Sequence, residues 1–161
     1  MKTDKLKLKL LAIMLVVAVG VSVSSCDDEE YYFSDLGLRN ALLNFRQVEK
    51  THLMENLIYN DLRGRGYNVD VGVVPYNGKN EQGVSFRTRL AVDLVCNKGS
   101  QRLYLQSALA LPTQEKIDQE TKSLRRIDDG FQKMVVVGDH TIGSHDESGI
   151  LFINIYDFLM Q

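Results

Sequence analysis

Glu55, Asp93 and Gln106 are the residues of this chain whose types and spacing could do chemistry. Glu55 lies in Leu-Met-Glu-Asn-Leu-Ile-Tyr-Asn-Asp-Leu, Asp93 in Ala-Val-Asp-Leu-Val, and Gln106 in Leu-Tyr-Leu-Gln-Ser-Ala-Leu. Two carboxylates held together supply the hard oxygen ligands that Mg²⁺ prefers. A metal so held polarises a phosphodiester and lowers the pKa of an attacking water. Glu120, further along the chain, adds a carboxylate if its helix leans over the same place. Asp93 is the most informative of the group, because a charge inside an apolar strand is costly unless it is paired. Gln106 is neutral, and Ala108 carries no cation to hold or activate a nucleophile.

The elements that must position these residues follow from periodicity. Ser34 or Asp35 caps a short helix over Leu36 to Phe45, and Thr51 caps a second helix over 52 to 64. Met54, Leu57, Ile58 and Leu62 give that second helix one buried stripe, with Glu55 at its margin and Gly64 and Gly66 at its end. Asn68 to Val74 reads as a strand and Tyr76 to Gly83 as a polar, glycine-containing loop. Val84 to Asn97 and Gln101 to Ala108 form a hairpin around Lys98-Gly99. A loop from Lys98 to Gln101 sets Asp93 directly opposite Gln106. Thr113 caps a helix reaching Ile127, Lys133 to Val137 is a central parallel strand, and Gly138 to Ser148 is a loop. Ile150 to Ile155 is a strand and Tyr156 to Met160 a terminal helical turn. A hairpin followed by a helical crossover implies an α/β fold, a mixed central sheet flanked by helices.

Acid on a helix, acid in a strand, polar group on the next strand: this order resembles a PD-(D/E)xK nuclease core. Residues 31 to 161 resemble the C-terminal domain of unknown function that follows the ATPase module in prokaryotic AAA-type ATPases. The likeness rests on Tyr32-Phe33-Ser34-Asp35-Leu36-Gly37-Leu38-Arg39-Asn40, His52-Leu53-Met54-Glu55-Asn56, Arg65-Gly66-Tyr67-Asn68-Val69, Val92-Asp93-Leu94-Val95 and Tyr104-Leu105-Gln106-Ser107-Ala108. Ile127-Asp128-Asp129 and the Ile-Tyr-Asp-Phe-Leu close also fit. The resemblance implies a restriction-endonuclease-like fold and assigns Glu55, Asp93 and Gln106 to the catalytic positions, with Glu55 and Asp93 as metal ligands and Mg²⁺ as the cofactor of an active member; Glu120 joins them as a catalytic candidate only through the residue reading above. It implies a cytoplasmic setting and a nucleic-acid or protein partner. Gln106-Ser107-Ala108 departs from the acid-x-lysine pattern, so the expected role is a binding module, with a weak metal-dependent nuclease as the alternative.

The chain has 161 residues, 25% of them charged, with a formal net charge of −2, so no global basic field announces nucleic acid. The arginine pairs 63/65, 87/89 and 125/126 read as solvated charge. No GxxxxGK[ST] phosphate loop occurs, so ATP is not an expected ligand, and His140 and His145 with Asp139 and Asp146 lack a regular metal-ligand spacing. Cys96, in an apolar strand, is a small hydrophobe.

Four lysines in the first nine residues precede an apolar run from Leu10 to Val23 that ends Val23-Ser24-Ser25-Cys26. The run is shorter than the roughly 20 residues needed to span hydrocarbon and reads as a secretory signal. Its end resembles a bacterial lipobox, and Asp27-Asp28-Glu29-Glu30 resembles the tether that follows a lipidated cysteine. The expected organisation is thus a signal peptide over 1–25, an acidic tether over 26–30 and a nuclease-like domain over 31–161, a gene fusion or a truncated remnant with its junction near Glu30 and Tyr31. By its leader the protein is a membrane-anchored lipoprotein of the cell envelope, attached through lipidated Cys26. Replacing that cysteine, Cys26→Ala, is expected to abolish palmitate labelling and block processing; unchanged label and size would refute the leader reading.

Overall fold

The structure, a computed structural model, describes residues 22–23, 31–42, 44, 49–79, 83, 85–139 and 143–161. Cys26, the acidic tether and nearly all of the leader lie outside the described residues. The chain divides into two compact units, residues 1–49 and 50–161, and the expected domain over 31–161 spans that division. Among the described residues no helix is long and apolar enough to cross a membrane.

In the first unit β1 (Ser22–Val23) pairs antiparallel with β2 (Tyr31–Tyr32). Helix α1 (Leu36–Leu42) follows, and Asp35 caps it by accepting from the Leu38 amide at 2.9 Å.

The second unit carries a mixed six-stranded sheet in the order β3-β4-β5-β6-β8-β7. The strands are β3 (Asn68–Lys79), β4 (Ser85–Lys98), β5 (Gln101–Ala108), β6 (Gln132–Val137), β7 (Ser144–His145) and β8 (Leu151–Asn154). β3, β4 and β5 are antiparallel to one another, β5, β6 and β8 are parallel, and β7 closes the far edge antiparallel to β8. Helices α2 (Lys50–Gly64), α3 (Gln114–Thr121) and α4 (Ile155–Leu159) flank it. The protein is therefore an α/β protein, as the hairpin-then-crossover pattern requires.

Helix α2 begins at Lys50, so Thr51, the expected cap, lies inside its first turn; an exposed threonine there costs only a few tenths of a kcal/mol. Met54, Ile58, Tyr59 and Leu62 are buried, whereas Leu57 is exposed and falls outside the stripe. The helix ends in a Schellman motif: the Tyr67 amide donates to the Leu62 carbonyl, the Gly66 amide to Arg63, and Gly66 takes φ +86°. Arg65, just beyond, is a structural cation. It ion-pairs with Asp61 at 2.7 Å, donates to the Phe158 carbonyl at 2.7 Å and stacks on the Phe158 ring.

Thr113 caps α3, accepting from the Lys116 amide, but the helix ends at Thr121 and a 3₁₀ turn at Leu124–Arg126 completes the crossover. Strand β6, buried from Met134 to Val137 with parallel neighbours on both sides, is the central strand expected of an uninterrupted apolar run. The expected loop over 76–83 is corrected: β3 continues to Lys79, since Tyr76, Asn77 and Gly78 pair with Thr88, Arg87 and Phe86. Asn and Gly are poor strand formers alone, and a long partner strand overrides that preference. Ser144–His145, likewise expected in a loop, adds a short edge to the sheet.

Gly72 is the most closely approached of the described glycines. A Cβ there would stand 2.4 Å from Val95 Cγ2 and 3.2 Å from Val92 Cβ. Gly72→Ala is expected to destabilise the fold by about 1–3 kcal/mol through overpacking. Urea denaturation of the full chain checks this, and an unchanged midpoint would mean that the crossing of β3 and β4 is slack.

Candidate functional site

The β4–β5 hairpin fixes the register of the site. Lys98 pairs with Gln101, leaving Gly99-Ser100 as a two-residue turn with Gly99 at φ +59°. A positive φ confined to the first central residue is the pattern of a II′ turn, whose twist matches that of the strands. From this turn the ladder runs back to Leu94 opposite Leu105 and stops. The next positions are Asp93 and Gln106, as the sequence predicts.

At this point β4 parts from β5, and the Asp93 carboxylate fills the fork. Its Oδ1 accepts from Gln106 Nε2 at 2.7 Å. Its Oδ2 accepts from the Ser107 amide at 2.8 Å and from Ser107 Oγ at 3.2 Å. The Asp93 amide in turn donates to Gln106 Oε1 at 3.4 Å. Gln106 and Asp93 thus exchange two hydrogen bonds, and the Ser107 N–H beyond the last ladder pair has a side-chain acceptor instead of a backbone one.

The same residue marks a bulge on the other edge of β4. Asp70 pairs with Val95 and Gly72 with Val92, so Asp93 and Leu94 together oppose Val71. The extra residue brings Val92 and Val95 onto one face, and that is why the facing position is glycine. Bulges re-aim a side chain and end local pairing; here both effects fall on Asp93. Nothing in the alternation of β4 reveals an inserted residue, so the sequence reading missed it.

The other predicted residues fare differently. Glu55 is half-buried on α2 between buried Met54 and Asn56. Met54 Sδ would lie 3.1 Å from a Cβ built at Gly138, which places the first half of α2 by the C-terminal end of β6. Glu120 forms an ion pair with Lys116 one turn back on α3. Among the described residues no group of three or more His, Cys, Asp and Glu side chains could hold a metal ion. Glu55, Asp93 and Glu120 therefore do not assemble into the three-carboxylate group that a leaning α3 would have made. Ala108 is buried in an apolar cluster with Val92, Val135, Val137 and Leu124. Ser107, not foreseen as a partner, donates to Asp93 through both its amide and its hydroxyl; the available signal was a hydroxyl residue next to Gln106.

A second polar cluster lies near the start of β6. Tyr104 Oη donates to Asp129 Oδ2 at 2.7 Å, and Asp129 Oδ1 accepts from the Phe131 amide. Burial and then the hydrogen bond to Asp129 raise the Tyr104 pKa. Desolvation acts to raise that of Asp129, but donors from Tyr104, Phe131 and Lys133 outweigh it and hold the carboxyl below its ordinary value. Cys96 is buried, and desolvation, with the Asp70 charge as a lesser cause, pushes its thiol up to about 12; it is an inert core group. A cavity of about 360 Å³ lies by Leu111, Ile117, Arg125, His145 and Phe152, but its Arg125 is already ion-paired to Asp118 and Asp146.

The chain is similar to an uncharacterized protein of Haemophilus influenzae, with 26% identity over 132 residues. The match covers 82% of this chain and 29% of that protein, so the chain spans less than a third of the relative's length. No protein-family model matches the chain.

Asp93→Ala is expected to lower stability by about 2 kcal/mol, because it leaves the Ser107 amide and the Gln106 carboxamide without their acceptor. Thermal or denaturant unfolding reads the change. A variant more stable than the parent would show instead that Asp93 is held at a cost, as a working catalytic acid is.

Proposed function

We propose that residues 50–161 form the core of a PD-(D/E)xK-type nuclease-like domain that no longer cuts and acts as a binding module for nucleic acid. The observation that carries this reading is the state of Asp93. It stands at a strand fork and bulge beside the Gln-Ser-Ala segment, where a metal-binding acid would stand. Its oxygens accept three hydrogen bonds from Gln106 and Ser107. An ionised carboxylate has about four acceptor sites, so these donors consume most of the capacity a metal would need. The residues present do not fit a catalytic Mg²⁺: the neighbouring strand offers a carboxamide and a hydroxyl, and Ala108 is packed among valines. Phosphodiester cleavage also requires positive charge against the developing oxyanion, and Ala108 provides none. The mixed sheet with its flanking helices accords with the proposed scaffold. The relative's greater length accords with a module that works inside a larger protein.

The test is a cleavage assay on single- and double-stranded DNA and RNA with added Mg²⁺ or Mn²⁺. The full chain is expected to give no product above background. Robust cleavage that disappears in Asp93→Ala would make the protein an enzyme and overturn the reading. The double substitution Gln106→Glu with Ala108→Lys puts back both missing groups. It is expected to lower the melting temperature, since an ammonium must leave an apolar cluster, and to raise metal-dependent cleavage above the parent. A folded double variant with no activity would count against a nuclease ancestry for the scaffold.

A further inference from the structure

β4 outruns its inner neighbour: it pairs with β5 only from Leu94 to Lys98, whereas its pairing with β3 continues out to Ser85. Gly72–Lys79 and Ser85–Val92 thus form a two-stranded ribbon beyond the fork at Asp93. The register splits this ribbon cleanly. Val74, facing Leu90, packs with Val92 against the core cluster at the ribbon's root. The opposite face carries the pairs Val73–Ala91, Pro75–Arg89 and Asn77–Arg87, and all six of these residues are exposed. That face has no acidic residue at these positions.

The two arginines differ in kind from the others paired in the sequence. Arg63 donates to the Tyr67 carbonyl, Arg65 is tied to Asp61 and Phe158, and Arg125 to Asp118 and Asp146. Among the described residues, the Arg87 and Arg89 side chains have no hydrogen-bond or ion-pair partner; their backbones belong to the β3–β4 ladder. Two residues apart on one strand, they stand about 6.8 Å from each other along the ribbon at the usual rise. That spacing lets each guanidinium meet its own phosphate. A two-stranded β-ribbon also has the width that the major groove of B-DNA admits, and Asn77 adds a hydrogen-bonding group between the strands.

We infer that this ribbon is a DNA-binding arm, with Arg87 and Arg89 contacting successive backbone phosphates of a duplex while Val74 and Val92 hold its root to the core. The inference rests on the binding-module reading above and names its partner and its surface. Contacts of this kind position the protein and carry little sequence information.

The experiment is fluorescence anisotropy of a short labelled mixed-sequence duplex with the full chain, between about 50 and 200 mM salt. The parent is expected to bind with a clear salt dependence. Arg87→Ala with Arg89→Ala is expected to lose on the order of tenfold in affinity and to flatten the slope of log affinity against log salt by about 1.8, or about 0.9 per phosphate contact. Arg87→Lys with Arg89→Lys is expected to retain the slope, and circular dichroism to show the same melting for all three proteins. An alanine variant that binds like the parent with an unchanged slope would overturn the arm while leaving the binding-module reading intact. A parent that binds no duplex at any salt would overturn both. Cleavage of the duplex with ribbon-dependent affinity would overturn the non-cutting reading and support the arm.

Discussion

The Asp93 carboxylate holds the second unit's sheet at its weakest place. A strand that must leave one neighbour while keeping the other exposes backbone groups on the side it leaves, and a buried amide without an acceptor costs about as much as a lost hydrogen bond. Asp93 satisfies the Ser107 amide and hydroxyl with one oxygen and the Gln106 carboxamide with the other. The fork is then a defined structure rather than a frayed ladder. The bulge opposite Val71, the tight crossing at Gly72 and the ribbon beyond Val92 all depend on where β4 departs from β5.

The same hydrogen bonds bear on the proposed nuclease-like, non-cutting module. In an acid-x-lysine site, a second acid and a cation share the space around the strand aspartate. In the proposal Gln106 and Ala108 occupy those two positions, and the two residue types suit each other. The carboxamide can donate to Asp93, which an ionised glutamate cannot, so the pair attracts where two carboxylates would repel. The small Ala108 lets Val92, Val135, Val137 and Leu124 close around the strand. Asp93, Gln106 and Ser107 thus form a hydrogen-bond network that stabilises the sheet.

Charge is distributed in the same economical way. Several cations among the described residues serve the fold: Arg65 clamps α2 to α4 through Phe158, Lys98 donates to the Arg65 carbonyl, and Lys133 to that of Asp129. The chain as a whole is slightly acidic. Against that background Arg87 and Arg89 place two exposed positive charges on one face of the ribbon.

The linear pattern by itself determined the order of the longer strands and helices, the central place of Met134–Val137, the Thr113 cap, the end of α2 at Gly64 to Gly66, and the facing of Asp93 and Gln106. Each of these depends on short-range rules: side-chain period, capping chemistry, or the even residue count of a tight turn. Only the tertiary structure decided the rest. The bulge at Asp93 and Leu94 depends on how β3 crosses β4, and no local sequence feature encodes that crossing. The extension of β3 through Asn77 and Gly78 came from its partner strand, not from its own preference. The capture of the Asp93 oxygens by Ser107 required the strands to part at one pair and no other. The separation of two exposed arginines from those spent on ion pairs required knowing which acids lie near in space. Periodicity records which face a residue occupies, whereas long-range contact decides what it meets there, and for a polar site the second determines the chemistry.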